Sequence, residues 1–178
     1  MSKPLSRAVF LLLTLAGGGV CSAVVPAAAP HALLEDALLC RGDSLGVVQD
    51  LVAAGSRFDQ GYAVASIGEE IDTQSLVVLE RPLQIAGAST RLVLAGPTPH
   101  ETDFNGLVYA RFHGDHKVVI QQLGLQEPAS GDAAAPIGRF QKAVAADADA
   151  DAAVCPPTIG LTPLEGGEFL LGCGWCNG

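Results

Sequence analysis

Two short segments near the start of the chain repeat their apolar residues at helical spacing. In residues 31–39, one helical face carries Leu33, Leu34, Ala37 and Leu38. In residues 45–54, one side carries Leu45, Val48, Leu51 and Val52 in the same way. Ser44 stands where a helix needs an N-cap, and Gly55 suits a helix end. The pattern therefore predicts two short helices separated by a break at residues 41–44.

After residue 58 the pattern changes to the alternation and the β-branched composition of strands. Pro82 restricts how the first of these segments can pair, since proline has no amide hydrogen to donate. Gly114 and Asp115 form a two-residue turn signal, which predicts a hairpin between residues 106–112 and 117–123. The predicted strands are residues 75–80, 83–86, 91–95, 106–112, 117–123, 137–144, 158–164 and 168–172.

Helices followed by a run of strands, without alternation between the two types, are typical of an α+β fold. We therefore expect one domain, residues 31–178, in which short N-terminal helices pack on a mainly antiparallel β-sheet reinforced by disulfides. Apolar residues make up 49% of the chain, so a core of the size that one domain needs is available.

The first 23 residues have the three parts of a secretory signal peptide. Lys3 and Arg7 give a basic head, residues 8–16 are an unbroken apolar run, and small residues follow up to Ala23. The apolar run is too short for a bilayer, which needs about 20 residues, and no later segment predicts a transmembrane helix. The expected localisation is the periplasm or the exterior of the cell.

Signal cleavage has two candidate positions and one competing modification. Ala23 and Ala27 both have small residues at the positions that a signal peptidase reads. Cys21 offers the alternative of a lipid anchor, although the residues before it fit the lipoprotein pattern poorly. Residues 24–30 are rich in alanine and proline and are expected to form a disordered mature N-terminus.

The excess of acidic residues bears on the kind of partner. The chain has 19 Asp and Glu against 10 Lys and Arg, for a formal net charge of −9, and loss of the signal peptide also removes Lys3 and Arg7. Nucleic acid and anionic membrane surfaces attract Lys and Arg, so neither is expected as a partner. Charge complementarity favours a basic protein partner. The alternative is that the acidity only keeps an exported protein soluble.

The mature chain would retain an even number of cysteines, which in an exported protein indicates two disulfides. They are Cys40, Cys155, Cys173 and Cys176. In the predicted hairpin of residues 158–172, Cys155 comes nearly opposite Cys176, which leaves Cys40 to pair with Cys173. Four cysteines allow three pairings, and the other two stay open.

Cys173 and Cys176 also have the spacing of a thioredoxin-type redox site. Such a site lies at a helix N-terminus, where the helix dipole stabilises the thiolate. Only Asn177 and Gly178 follow, so no helix can be built there. A structural role is therefore favoured over a redox role, and also over a zinc site in an oxidising compartment.

The tetrapeptide Gly42-Asp43-Ser44-Leu45 resembles the signature that opens the GDSL esterases and lipases. The resemblance implies that Ser44 is a catalytic nucleophile. The family's late Asp-x-x-His and its Gly-x-Asn-Asp block do not occur in this chain, and a serine without a base is a weak nucleophile. Helix capping is therefore favoured over catalysis for Ser44, and a non-catalytic protein is favoured over an enzyme.

His113, Asp115 and His116 place potential metal ligands at one predicted turn. In the predicted hairpin the two histidines flank the turn and face each other. A metal site needs three or four protein ligands, and His100 and Glu101 are the additional candidates. The alternative is that all of these residues are exposed and bind no metal.

Asp147, Asp149 and Asp151 repeat at the spacing of the first ligands of a calcium-binding loop. An EF-hand also needs glycine at its sixth position and glutamate at its twelfth, where this chain has Ala152 and Thr158. The tract is therefore expected to be a solvated acidic linker, with surface calcium binding as the alternative.

The favoured hypothesis is an exported, non-catalytic protein-binding domain of the bacterial envelope. Its sharper form is a periplasmic immunity protein, or an inhibitor of a toxin or of a cell-wall hydrolase. Two alternatives stay open: a GDSL-like esterase that uses Ser44, and a structural component of an envelope or secretion assembly. No cofactor is expected, and the sequence leaves the oligomeric state open.

Overall fold

The computed structural model describes residues 29–68, 73–96, 106–128, 138–144 and 156–175. The predicted signal peptide and all but the last residues of the predicted disordered segment lie outside them. The α-helices within the described residues are α1 Pro30–Leu38, α2 Ser44–Ala54 and α3 His116–Leu123. The strands are β1 Tyr62–Ile67, β2 Gln74–Ile85, β3 Ala88–Gly96, β4 Gly106–His113, β5 Phe140–Ala143, β6 Thr158–Pro163 and β7 Glu168–Trp175.

These strands form one sheet in the order β1-β2-β3-β4-β7-β6-β5. Every pairing in it is antiparallel. Strands β1 to β4 are neighbours in chain order, as are β5 to β7, and the two runs meet where β7 pairs with β4. The expected α+β fold, with N-terminal helices and an antiparallel sheet, is confirmed.

The two faces of β4, the central strand, differ in burial. Val108 and Phe112 are fully buried, whereas Tyr109 is half-buried and Arg111 is exposed. Successive side chains along a strand point to opposite faces, so this alternation means that, in the described part of the chain, one face of the sheet is covered and the other is more exposed to solvent. Phe112 stacks on Phe169 of β7, with ring centroids 5.5 Å apart, in the core of the covered face.

A disulfide joins Cys40, just after α1, to Cys173 in β7. This is the pairing that the sequence analysis expected for these two residues. Cys173 pairs in register with Val108, so the bond fastens the helical segment to the covered face of the sheet. Cys155 and Cys176, the other predicted pair, lie outside the described residues.

Both predicted N-terminal helices are present, but the predicted cap of the second is wrong. α1 begins at Pro30, where the missing proline N–H costs nothing because the first turn of a helix has no partner for it. In α2 the N-cap is Asp43, whose Oδ1 accepts a hydrogen bond from the Gly46 amide at 2.9 Å. Ser44 is the first helical residue instead. Gly55 ends α2, as expected, and its positive φ of 74° is one that favours glycine.

The predicted hairpin at Gly114 and Asp115 is wrong, because residues 117–123 form most of α3 rather than a strand. Asp115 caps this helix by accepting a hydrogen bond from the Lys117 amide at 2.9 Å, and Gly124 ends it with a left-handed backbone. Val119 and Leu123 are four residues apart and share one face of this helix, where Val119 is buried and Leu123 packs against the core. The place beside β4 is taken by β7.

The strands predicted at residues 75–80 and 83–86 are one strand, β2. Its pairing with β3 shifts register between Val78 and Leu83, and Pro82 lies within that irregular stretch. A bulge accommodates proline because an amide there need not bond to the neighbouring strand. β1 was not predicted from the sequence.

Candidate functional site

Among the described residues, Ser44 has no histidine or carboxylate as a hydrogen-bond partner. Its side chain is buried at the start of α2. The described histidines with polar partners use them elsewhere: His31 Nε2 lies 2.9 Å from the carbonyl oxygen of Arg81, and His113 contacts Glu168. Within the GDSL-like tetrapeptide, Gly42 and Asp43 precede α2, while Ser44 and Leu45 are its first two residues.

The candidate metal ligands His113, Asp115 and His116 do not meet across a hairpin, because His116 begins α3. Asp115 is engaged in capping that helix. His113 ends β4, and its Nδ1 lies 3.2 Å from Oε1 of Glu168. Within the described ranges, no group of three or more His, Cys, Asp or Glu side chains is arranged to hold a metal ion.

Several sequence candidates fall outside the described residues. They are His100 and Glu101, the acidic tract with Asp147, Asp149 and Asp151, and the cysteines Cys155 and Cys176.

The sheet face opposite α1 and α2, which we call the open face, carries the side chains that the core does not use. Register and alternation place on it residues from β2, β3, β4 and β7. These residues are half-buried or exposed. They are Leu76, Val78, Leu92, Leu94, Leu107, Tyr109, Arg111, His113, Glu168 and Leu170.

Most of the open face is apolar, and its centre is shaped by a glycine. Tyr109 pairs in register with Gly172 of β7. A Cβ atom at Gly172 would come within 2.3 Å of the Val108 carbonyl oxygen and 2.7 Å of the Tyr109 Cβ atom. A side chain there would therefore displace Tyr109 or separate the two strands. The glycine lets Tyr109 pack directly against β7.

A groove of about 420 Å³, which we call the arginine groove, lies at one end of the open face. It sits where the β3–β4 pairing shifts register between Ser89 and Val93. Such an irregularity twists the strands and redirects side chains. The groove is lined by Pro82, Ser89, Thr90, Arg91, Leu92, Arg111 and His113.

Glu168 holds two of the groove's side chains in place. Its Oε2 accepts a hydrogen bond from Nη2 of Arg111, and its Oε1 lies 3.2 Å from Nδ1 of His113. The Glu168 side chain is 15% exposed, whereas those of Arg111 and His113 are 60% and 69% exposed. The buried carboxylate therefore positions the Arg111 and His113 side chains, which remain accessible to a ligand.

Arg91 differs from most other described arginines in having no carboxylate partner within the described residues. Arg41 is bonded to Glu35 and Asp36, Arg57 to Asp59, Arg111 to Glu168 and Arg139 to Glu127. The groove thus has two guanidinium groups but one carboxylate. Sequence reasoning missed it because the groove joins β3, β4 and β7, and only the register brings residue 111 close to residue 168.

A second, mainly apolar cavity of about 300 Å³ lies beside β1, at the edge of the sheet. Phe58 at its rim is 78% exposed. The outer edge of β1 is partly occupied, since Arg57 and Tyr62 exchange backbone hydrogen bonds and Ser56 Oγ accepts from the Val64 amide. The cavity is lined by Phe58, Gly61, Tyr62, Ala63, Val78, Leu79 and Glu80.

The charged residues near this cavity form a local pair. The Arg57 guanidinium donates to the Asp59 carboxylate at 3.3 Å, and this hydrogen bond lowers the pKa of Asp59 and raises the pKa of Arg57. Both side chains are largely exposed to solvent, so the pair adds little to stability. The cavity itself therefore offers apolar contact and the single carboxylate of Glu80.

No helix in the described part of the chain is long and apolar enough to cross a membrane. Comparison with models of known protein families, with curated proteins and with solved structures found no match to this chain.

Proposed function

We propose that the protein is an exported, non-catalytic protein-binding domain of the bacterial envelope that contacts its partner through the open face. The sharper form of this proposal is an immunity protein, or an inhibitor of a toxin or of a cell-wall hydrolase. The observation that carries it is the contrast between the two faces of one sheet. In the central strands, one face is buried under helices, and the other presents half-exposed leucines, Tyr109 and arginines.

The composition of the open face supports a protein partner. Contiguous apolar side chains on a surface mark sites of interaction, and tyrosine and arginine are enriched where proteins meet. Val78 is 44% exposed at one side of this face, and Tyr109 lies near its centre. Arg91 and Arg111 supply charge at the end of the face, as at the rim of a protein interface.

The disulfide supports export. Disulfides form and persist in the periplasm and outside the cell, whereas the cytosol keeps thiols reduced. The Cys40–Cys173 bond closes a loop with a sequence separation of 133 residues. A long loop of this kind gives a large entropic stabilisation of the native state.

The charge of the chain supports a basic partner. A net charge of −9 accelerates encounter with a positively charged protein, and this effect weakens as salt is added. The net charge and the open face have different roles. The electrostatic field of the net charge steers the approach of the partner, whereas the open face makes the contact.

The test uses the full chain, with its disulfide oxidised, as bait for envelope extract at low and high salt. We expect one protein to be retained at low salt, to be retained less at high salt, and to form a stoichiometric complex with the purified bait. Val78→Lys should weaken this complex at least tenfold, since it places a charge within the contact. Val118→Lys is the matched control, because Val118 is 38% exposed but lies on α3.

Two results would overturn the proposal. One is that the unmodified chain retains no protein at low salt. The other is that Val78→Lys and Val118→Lys weaken the complex equally, since contact would then not depend on the open face.

A further inference from the structure

We infer that the arginine groove is a carboxylate-binding site, which receives an acidic side chain of the partner together with a neighbouring apolar side chain. This inference rests on the proposed function, because it names the chemistry of the partner segment that reaches one end of the open face.

The donors of the groove are only partly used. The hydrogen bond to Glu168 engages Nη2 of Arg111, and a guanidinium has five N–H donors. Arg91 lines the same groove and has no carboxylate partner among the described residues. Free guanidinium edges match the two oxygens of a carboxylate, which they bind in a bidentate manner.

The local charge balance favours an anion despite the acidity of the whole chain. Two guanidinium groups, those of Arg91 and Arg111, line the groove, and the neighbouring Glu168 carboxylate contacts Arg111 and His113. Elsewhere in the described residues, Arg41, Arg57 and Arg139 each contact an acidic side chain. Arg81 and Arg91 are the described arginines without an ion pair, and of these two Arg91 lines the groove. An incoming carboxylate would complete the pairing of Arg91.

The rest of the lining determines what accompanies the carboxylate. Pro82 and Leu92 give the groove an apolar part, and Leu92 continues into Leu94 on the open face. A free small anion would leave this apolar surface uncovered. A nucleic acid requires many phosphate contacts, and the acidic chain would repel it. An acidic residue beside an apolar one in a protein partner satisfies both parts of the groove.

The experiment is an NMR titration of the full chain, disulfide oxidised, with a short Gly/Ser peptide that carries a Leu-Glu pair. The matched peptide carries Leu-Gln. We expect the Leu-Glu peptide to shift the amide signals of residues 89–92 and 111–113 most, and to bind more tightly than the Leu-Gln peptide. Arg91→Gln should weaken its binding by roughly tenfold to a hundredfold, the range for a hydrogen bond to a charged group.

Arg139→Gln is the control, because it removes the same charge from an exposed arginine near β5, three strands from β4 in the sheet. It should leave binding of the Leu-Glu peptide unchanged. Equal binding of the two peptides, or an equal loss in the two variants, would overturn the inference. So would binding that appears only after Asp147, Asp149 and Asp151 are changed to Asn, since the groove would then serve the chain's own acidic tract.

The same variants separate this inference from the proposed function. If the partner captured from envelope extract binds Arg91→Gln as well as the unmodified chain, the carboxylate site is wrong while the protein-binding function stands. If no partner is captured but the Leu-Glu peptide binds with the expected dependence on Arg91, the groove stands and the protein-binding function is wrong.

Discussion

The two faces of the sheet are formed by alternate residues of the same strands, yet they meet different physical demands. On β7, Leu171 is fully buried under the helical side, while its neighbour Leu170 is half-buried on the open face. On β4, Phe112 stacks in the core, while Arg111 is exposed beside it. Adjacent positions thus separate the residues that hold the fold from those available for contact.

The comparison shows where stability and recognition reside in this molecule. Side chains on the covered face are close-packed, so even a small loss of side-chain volume there lowers the free energy of unfolding. Side chains on the open face have fewer neighbours, so their substitution should change binding more than stability. The disulfide belongs to the covered face, since Cys173 lies in register with the buried Val108.

Loss of the Cys40–Cys173 bond should have the largest effect, because it releases the helical segment from the covered face. We expect the double variant Cys40→Ser, Cys173→Ser to lose about 2–5 kcal/mol of unfolding free energy, as is typical for a native disulfide that closes a long loop. Urea unfolding measures this loss. Reductant should lower the stability of the unmodified chain more than that of the double variant. An equal effect would assign the stabilisation to other cysteines.

The neighbours Leu171 and Leu170 provide the sharpest test of the difference between the faces. Leu171→Ala should cost about 2–5 kcal/mol, because it leaves a cavity in the core. Leu170→Ala should cost less than about 1 kcal/mol, since its side chain is half-buried and the site can fill with solvent. Urea unfolding of both variants, which share one strand and one chemical change, measures the difference. Equal losses would mean that the open face is part of the core.

Local signals in the sequence were enough to predict the helical layer and the final hairpin. The apolar spacing in residues 31–39 and 45–54 corresponds to α1 and α2, and the turn near Gly166 joins β6 to β7. The register of that hairpin was also the basis for pairing Cys40 with Cys173. The helix and hairpin predictions depend on residues close in the chain, and the Cys40–Cys173 pairing followed from the hairpin register because Cys155 came nearly opposite Cys176.

Predictions failed where tertiary contacts decide between two local options. Residues 117–123 are rich in β-branched side chains, which favour a strand. Instead, Asp115 and Gly124 cap this segment as a helix, and β7 occupies the place beside β4 that the predicted strand would need. The arginine groove could not be predicted, because Arg111 and Glu168 are joined only by the β4–β7 register.

The smallest expected change in unfolding free energy concerns the N-cap of α2, one of the helices that cover the buried face of the sheet. Asp43→Ala should cost about 1 kcal/mol, because it removes the carboxylate that accepts from the Gly46 amide. Ser44→Ala should cost less, since Ser44 is not the cap. Urea unfolding ranks the two, and a larger loss for Ser44→Ala would contradict the assignment of the cap.

Hydrolysis of p-nitrophenyl acetate provides a second readout. A non-catalytic protein should show the same background rate for the unmodified chain and for both variants, whereas a loss confined to Ser44→Ala would establish Ser44 as a nucleophile and contradict a purely structural role for the α1–α2 break.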